Sequence, residues 1–197
     1  MIPARSAEYR ARVASRREAL GLELRSLLVG DTGFVWEVGA GHGHFLTAYA
    51  AAQKEVTCIG IDIVADRVAR AQRKRNRARL ERLHFLLAEA DDFLACLPET
   101  ARFSEVYVLF PDPWPKRRHH KNRVMKPSFL EAVAARVGKG DALYFRTDHE
   151  PYFREVAASL KGHASWRAEQ TDALPFEEPT VFEKRAERHF TLVARRR

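Results

Sequence analysis

Short apolar runs alternate along this chain with longer stretches in which apolar residues recur every three or four positions. Short runs between glycine, proline or acidic residues are typical of buried strands, and the longer stretches predict helices. We predict strands at residues 34–38, 56–62, 84–88, 105–110, 142–145, 166–170 and 190–194. We predict helices at residues 5–29, 45–53, 64–82, 92–97, 128–137 and 150–161, the fifth capped by Ser128 after Pro127. This alternation predicts an α/β fold, with a mostly parallel central sheet and helices on both faces.

Length and composition are those of an ordinary globular protein. The 197 residues are 46% hydrophobic and 30% charged, with no internal repeat and no low-complexity linker, so we predict one domain over residues 1–197. Its residues 1–30 form a basic helical segment whose degree of order the sequence leaves open. No apolar run approaches the roughly 20 residues of a membrane span, and the N-terminus lacks the apolar stretch of a secretory signal. We therefore expect no membrane partner.

The two cysteines, Cys58 and Cys96, lie in apolar segments and show no metal-ligand spacing. We expect both to be buried thiols in a reducing compartment, which makes the cytoplasm the expected location. The adjacent pair His119 and His120 has no cysteine or carboxylate at ligand spacing, so we expect no metal site. The individual roles of these two histidines stay open.

Positive charge is concentrated in a few segments. The formal net charge is +8 and the sequence pI is about 9.8. Lysine and arginine cluster at residues 5–25, 67–82, 116–126 and 184–197, whereas residues 83–112 are net acidic. Segregated basic charge is typical of proteins that bind nucleic acid.

A glycine-rich turn follows the first predicted strand and leads into a helix. It reads EVGAGHG, from Glu37 through Gly39 and Gly41 to Gly43. Glycines allow positive φ and let the backbone approach a ligand closely. The spacing G-x-G-x-G differs from the G-x-G-x-x-G of dinucleotide-binding proteins. Glu37 would repel a pyrophosphate but suits a cationic group, such as the ammonium of S-adenosylmethionine.

Acidic residues follow the next two predicted strands. The second strand ends at Asp62, where a carboxylate can bind ribose hydroxyls. Glu89 and Asp91 follow the third strand, at the rim where an adenine would lie. Together with the glycine loop, these acids predict a methyl-donor site, although which of Glu89 and Asp91 contacts the adenine stays open.

The stretch VLFPDPWPKRRHHKNRV, residues 108–124, combines a rigid acid with a basic run. Asp112 lies between Pro111 and Pro113, which fix their own φ and restrict the residues before them. The basic run that follows could bind an anionic polymer; it consists of Lys116, Arg117, Arg118, His119, His120, Lys121 and Arg123. A fixed carboxylate beside such a surface indicates an enzyme that acts on nucleic acid.

With both motifs in hand, the chain resembles the tRNA (guanine-N7)-methyltransferase family over roughly residues 33–185. The resemblance depends on EVGAGHG at 37–43, PDPWPKRRHHKNRV at 111–124, FRTDH at 145–149 and TVFE at 180–183. It implies a Rossmann-like fold and methyl transfer from S-adenosylmethionine to N7 of a guanine in the variable loop of tRNA. Two motifs depart from the family pattern: Glu89 stands where aspartate is usual, and Asn122 replaces one basic residue.

The resemblance also assigns roles to individual residues. The cofactor site would comprise Glu37, Gly39, Gly41, Gly43, Asp62, Glu89 and Asp112. The substrate would face Lys116, Asp148, Thr180, Val181, Phe182 and Glu183. Guanine N7 carries no proton, so Asp112 is expected to position the base and to favour the developing positive charge, without acting as a general base.

Other functions remain open on the sequence alone. One alternative is an S-adenosylmethionine-dependent methyltransferase that acts on another RNA, on a small molecule or on a protein. A second is a non-catalytic RNA-binding protein of the same fold, and a nicotinamide-dependent dehydrogenase is a more distant one. The set of tRNA substrates and the oligomeric state, monomer or homodimer, stay undecided.

Overall fold

A central sheet organises the computed structural model, which describes residues 4–30, 33–171, 173–178 and 188–197. The strands of this sheet within those ranges are β1 (Phe34–Val38), β2 (Cys58–Asp62), β3 (Leu83–Leu87), β4 (Phe103–Leu109), β5 (Val137–Thr147), β6 (Trp166–Thr171) and β7 (Phe190–Arg196). Their order is β3-β2-β1-β4-β5-β7-β6. The first five are parallel, and β7 is antiparallel to both β5 and β6. The predicted mostly parallel α/β sheet is confirmed.

Helices cover both faces of this sheet. They are α1 (Ala4–Leu27), α2 (His44–Ala52), α3 (Ala65–Ala78), α4 (Ala90–Cys96), α5 (Pro127–Ala134) and α6 (Glu150–Leu160). Each lies where the sequence predicts a helix. A 3-10 helix at Arg117–Asn122 was not predicted. The predicted Ser128 cap is wrong, because Pro127 opens α5 and Lys126 is the cap residue, without a side-chain hydrogen bond. Proline suits a first helical position, since it lacks an N–H and its φ is already helical.

Aromatic side chains fill the larger core layer, on the face covered by α1, α4, α5 and α6. Trp36 of β1 is fully buried and stacks between Phe93 and Phe103, at ring-centroid distances of 4.7 and 4.9 Å. The opposite layer lies under α2 and α3, where Phe45 packs 4.7 Å from Tyr107. Because both faces are covered, β1 is buried along its whole length, which explains why it reads as a continuous apolar run.

The cysteines occupy different environments. Cys58 is fully buried in β2, as predicted. Cys96 is only partly buried, because it ends the short helix α4, where its thiol lies 3.3 Å from the Arg17 carbonyl of α1. The expectation that both thiols are buried is therefore wrong for Cys96. No helix in the described part of the chain is both long and apolar enough to cross a membrane.

Candidate active site at the carboxyl edge of the sheet

The glycine loop lies at the carboxyl end of β1, and its three glycines all adopt positive φ. The angles are 75° at Gly39, 55° at Gly41 and 68° at Gly43. A Cβ on Gly43 would lie 2.6 Å from a ring carbon of Phe85 and 2.8 Å from the Ala71 Cβ. Gly43 is therefore needed for close packing against the sheet and α3. An added Cβ on Gly39 or Gly41 would meet almost nothing, so these two present backbone to open space where a ligand could approach.

Asp62 joins the glycine loop to the end of β2. One carboxylate oxygen accepts the N–H of Gly41 at 3.0 Å, and the other accepts the N–H of Val64 at 2.8 Å. The side chain is almost fully buried, and a guanidinium nitrogen of Arg67 lies 3.7 Å away. Asp62 therefore holds the two loops that would form the floor of a ligand site, a role that the sequence did not indicate.

Glu37 places a carboxyl group beneath the glycine loop. It is buried at 4% exposure. Burial, more than any other cause, raises its pKa to about 8, and the Asp62 carboxylate adds to the rise. A hydrogen bond from the Leu46 backbone and the charge of Lys74 act in the opposite direction. Within the described structure, its Oε2 atom has no hydrogen-bond partner. Such a buried, unsatisfied acceptor is costly unless a donor or cation completes it.

Exposed apolar residues flank this floor. Ile63 is 66% exposed directly after Asp62, and Leu87 is 48% exposed at the end of β3. Glu89 is exposed at the position that caps α4, whereas Asp91 forms a 2.7 Å ion pair with Lys126. Ile63 and Leu87 were missed by the sequence reasoning. The available signal was an apolar residue within two positions of an acid at the carboxyl end of a strand.

The PDPWP turn follows β4 and has a strained backbone. Phe110 and Trp114, which flank the turn, have φ values of 49° and 44°. Positive φ in a bulky residue costs of order 1–3 kcal/mol and persists only where the surroundings impose it. The Phe110 N–H donates to the Arg146 carbonyl of β5 at 2.7 Å. The exposed Asp112 therefore lies in a conformation that neighbouring contacts must hold.

The basic run after this turn is divided between exposed and buried residues. The side chains of Lys116, Arg117, Arg118 and Lys121 are exposed. Arg123 is buried at 3% exposure, so the expectation that it adds to the surface charge is wrong. Its Nε donates to the Pro113 carbonyl at 2.8 Å, and its guanidinium pairs with Glu155 of α6.

The two histidines of the run also have distinct neighbours. His119 packs edge-on against the Trp114 ring at 5.7 Å and accepts a hydrogen bond from the Arg118 Nε at 3.2 Å. His120 is half-buried, with Nδ1 3.8 Å from a Glu155 carboxylate oxygen. Trp114 and His119 thus pack within their own loop. Within the described ranges, no group of three or more histidine, cysteine, aspartate or glutamate side chains could hold a metal ion.

The end of β5 brings Asp148 to the same edge as Asp112, because β4 and β5 are adjacent parallel strands. Asp148 is exposed, while the neighbouring Thr147 hydroxyl and His149 ring accept backbone N–H groups that begin α6, each at 3.1 Å. The predicted substrate residues Thr180, Val181, Phe182 and Glu183 lie outside the described residues. The structure thus places Glu37, Asp62 and Glu89 at or directly after the ends of β1, β2 and β3, with Asp62 bonded to the glycine loop, and it places Asp112, Lys116 and Asp148 after the ends of β4 and β5.

Comparison with known proteins identifies the family to which this chain belongs. Residues 31–193 match the model of a family described as putative methyltransferases. The chain belongs to this family. Both the glycine loop and the PDPWP turn fall within the matched region.

Curated relatives are similar over much of this chain. A tRNA (guanine-N(7)-)-methyltransferase of Chromohalobacter salexigens is 34% identical over 162 residues, covering 78% of this chain and 65% of that protein. One from Nocardia farcinica is 36% identical over 124 residues, covering 63% and 46%. The chain thus spans about half to two thirds of the length of these relatives.

Solved structures share the fold. An antibiotic-related methyltransferase has a TM-score of 0.60 at 18% identity, with 90% of this chain and 94% of that one covered. An rRNA methylase from Streptococcus thermophilus has a TM-score of 0.58 at 11% identity, with 92% and 94% covered. At such identities the likeness concerns the fold, and it confirms the predicted Rossmann-like methyltransferase architecture.

Proposed function

We propose that this protein transfers the methyl group of S-adenosylmethionine to N7 of a guanine in the variable loop of tRNA. One observation carries the proposal: two features lie at the same edge of the sheet. The first is a buried carboxyl group, that of Glu37, with an unsatisfied oxygen. The second is the strained PDPWP turn, which holds Asp112 beside exposed cations. The first suits a cationic donor and the second suits a nucleic acid. The relatives that carry the name tRNA (guanine-N(7)-)-methyltransferase support this choice of substrate.

The residues around the glycine loop fit the proposed cofactor. S-adenosylmethionine, when bound, supplies an electrophilic methyl group on a sulfonium centre. Glu37 would accept a hydrogen bond from its ammonium, which would satisfy the Oε2 atom that has no partner in the described structure. Gly39 and Gly41 leave room for the ligand beside the backbone. Gly43 supports the site from below, since its neighbours leave no room for a side chain.

The adenosine part would lie over the ends of β2 and β3. Asp62 already accepts two backbone N–H groups, and its remaining lone pairs would accept ribose hydroxyls. Burying Ile63 and Leu87 against the adenine would remove their exposed apolar surface from water. We assign the acid at the adenine rim to Glu89, because Asp91 is engaged by Lys126.

Asp112 and Asp148 would hold the guanine. Guanine N7 has a lone pair and no proton, so its attack on the methyl group needs no strong base. Asp112 would accept hydrogen bonds from the guanine N1–H and exocyclic amine, and its charge would favour the positive charge that develops on the ring. Asp148, at the end of the adjacent strand, would share this task. The rate would then derive mainly from alignment and from exclusion of water.

The exposed cations in and directly before the 3-10 helix, namely Lys116, Arg117, Arg118 and Lys121, would bind tRNA phosphates. Lys116 is the first of them and lies closest in sequence to Asp112. Contacts of this kind are sequence-independent and position the substrate. The assignment of Thr180, Val181, Phe182 and Glu183 to the substrate stays a prediction. The single domain over residues 1–197 and a cytoplasmic location also stay predictions.

Labelled methyl transfer tests the proposed activity. The protein would be incubated with unmodified tRNA and methyl-labelled S-adenosylmethionine, and the labelled nucleoside would be identified and mapped. We expect label on N7 of a guanine in the variable loop. Cofactor binding without transfer to RNA would refute the proposal and favour a small-molecule methyltransferase or a non-catalytic RNA-binding protein.

Asp112→Asn tests the role of the carboxylate. The amide keeps the size of the side chain but removes its charge and places a donor where an acceptor is needed. We expect turnover to fall about 100-fold, the scale of one electrostatic contact to developing charge, while affinity for S-adenosylhomocysteine changes less than about threefold. Equal losses in turnover and cofactor affinity would instead place Asp112 at the cofactor alone.

Lys116→Ala tests the phosphate contact. We expect weaker tRNA binding, and a slope of log affinity against log salt that is reduced by about one, the value for one lost phosphate contact. Lys54→Ala is the matched control, because Lys54 is exposed before β2, at the opposite edge of the sheet. An unchanged salt slope for Lys116→Ala would exclude the contact.

A further inference from the structure

Arg123 is buried although it belongs to the basic run that follows the PDPWP turn. Its guanidinium contacts three residues in two segments of the chain, the PDPWP turn and α6. The Nε atom donates to the Pro113 carbonyl at 2.8 Å, and Nη1 donates to the Glu155 carboxylate. The guanidinium carbon lies 4.6 Å above the centre of the Tyr152 ring. Burying a guanidinium costs its hydration, so a buried arginine needs hydrogen bonds and an ion pair that offset this cost.

The partners of Arg123 are themselves fixed by the fold. Tyr152 is fully buried at the start of α6, and its hydroxyl accepts the Met125 N–H at 3.0 Å. Its ring also packs edge-on against Phe145 of β5 at 5.3 Å. Glu155 lies one turn further along α6, is 46% exposed, and also approaches His120. Arg123 therefore connects the PDPWP turn and the 3-10 helix to a rigid helix of the core.

The hydrogen bond from Arg123 reaches the turn at the residue next to Asp112, so it bears directly on the position of that carboxylate. Pro113 directly follows Asp112, and its carbonyl belongs to the peptide bond that precedes Trp114. Trp114 has a φ of 44°, so this peptide is next to a strained residue. A backbone of this kind relaxes unless its surroundings hold it. The Arg123 Nε fixes the orientation of the Pro113–Trp114 peptide.

We propose that Arg123 is a positioning residue that holds the strained turn around Asp112, with Glu155 and Tyr152 orienting its guanidinium. The inference builds on the proposed function, because it gives Arg123 its effect through the guanine contact of Asp112. The planar guanidinium donates in two directions and stacks on a ring at the same time, which a lysine ammonium does not do. Arg123 thus acts on turnover without touching the substrate.

Two conservative variants test the proposal without creating a cavity in the core. Glu155→Gln alters a half-exposed side chain and keeps its shape, and Arg123→Lys keeps the buried charge. Turnover, the KM for tRNA, the dissociation constant of S-adenosylhomocysteine and the melting temperature would be measured for each. Arg154→Gln is the matched control, since Arg154 is 76% exposed on the same helix and pairs with Glu150.

We expect turnover to fall about 10-fold in Glu155→Gln and about 100-fold in Arg123→Lys, the scale of a misplacement near 1 Å. The KM for tRNA and the affinity for S-adenosylhomocysteine should change less than about threefold. The double variant should be no slower than Arg123→Lys alone, because the two residues act in one chain of contacts. Arg154→Gln should retain full turnover.

Trp114 provides a readout that does not depend on activity. Trp36 and Trp166 are fully buried, whereas Trp114 is half-buried, so quenching by iodide reports mainly on the turn. We expect Trp114 emission, obtained by subtracting a Trp114→Phe background, to be quenched about twofold more strongly in both variants. Unchanged quenching and turnover would overturn the proposal. So would a parallel loss of turnover, cofactor affinity and melting temperature, which would indicate a structural role.

A failure of the proposed function would look different. The wild-type protein would then transfer no methyl group to tRNA, and the turnover comparison would not apply. The quenching of Trp114 would still decide whether Arg123 and Glu155 hold the turn.

Discussion

Replacing Glu37 with glutamine removes a carboxyl group whose pKa is raised to about 8, mainly by burial. Without a ligand, this group is therefore largely protonated at pH 7. An ammonium group placed against its unsatisfied oxygen favours the charged form. Cofactor binding below pH 8 should therefore release a proton from Glu37, and affinity should depend on pH.

The magnitude follows from the titration of Glu37. The ligand ammonium is protonated up to pH 8, so the fall in affinity toward acid is set by the ionised fraction of Glu37. With a pKa of about 8, affinity at pH 6 should be about 50-fold lower than at pH 8. Glu37→Gln should abolish this fall in affinity at low pH, which is the acidic limb of the pH profile. It should also weaken binding at pH 8 by about tenfold or more, because a charge-assisted hydrogen bond is lost.

The same pKa affects the stability of the free protein. In the unfolded chain the carboxyl group has its ordinary pKa near 4.5, so between pH 4.5 and 8 the folded state binds the extra proton. The free energy of unfolding should therefore fall as the pH rises through this window, by at most about 5 kcal/mol at 1.4 kcal/mol per pH unit. Glu37→Gln should remove this fall and be more stable than the wild type at pH 9, although it binds the cofactor less well.

Calorimetric titration with S-adenosylhomocysteine between pH 6 and 9 measures both effects. At pH 7, buffers of different ionisation enthalpy should show release of close to one proton. Glu99→Gln is the control for loss of an exposed glutamate, and 5′-methylthioadenosine is the control ligand without an ammonium group. An acidic limb that persists in Glu37→Gln, or affinity that is flat with pH in the wild type, would refute the reasoning.

Two further predictions concern the supports of the site. Gly43→Ala should lower the free energy of unfolding by about 2–4 kcal/mol in urea, because the added Cβ would lie 2.6 Å from an aromatic carbon. Gly30→Ala, at a similar φ of 76° with nothing within 4 Å, should lose only about 1 kcal/mol, and equal losses would exclude the packing argument. The Asp92 carboxylate of α4 forms ion pairs with the guanidinium groups of Arg16 and Arg17 of α1, at N–O distances of 3.1 and 2.6 Å. Asp92→Asn weakens both pairs and should therefore speed trypsin cleavage after Arg16 and Arg17. An unchanged cleavage rate would show that this pairing does not hold α1 to α4.

Most elements of the fold could be predicted because each buried strand of the sheet reads as an apolar run. The largest error in length is β5, predicted at 142–145 and observed at Val137–Thr147. Its first half contains the polar stretch from Gly138 to Asp141, and the pairing with β4 shifts register there. An irregularity of this kind leaves no periodic signal, because its residues pair through the backbone and not through an apolar face.

The candidate site could be predicted in its parts but not in its connections. Glycines that need positive φ, acids at strand ends and prolines around Asp112 are local features, and each is visible within a few residues. The hydrogen bond from the Gly41 N–H to the Asp62 carboxylate spans 21 residues. The pairing of Asp91 with Lys126 spans 35. Neither can be read from spacing, because the partner is chosen by the way the strands are ordered in the sheet.

The sequence by itself determined the chemistry of this protein: the residue types at the ends of the strands, the rigidity of the PDPWP turn and the basic run beside it. The tertiary structure decided which of these charges face water. Arg118 is exposed and Arg123 is buried, although both belong to the same run. The difference arises because α6 packs beside the end of the 3-10 helix and offers Tyr152 and Glu155 to one guanidinium. Burial depends on neighbours from distant segments, and those are set only when the sheet has formed.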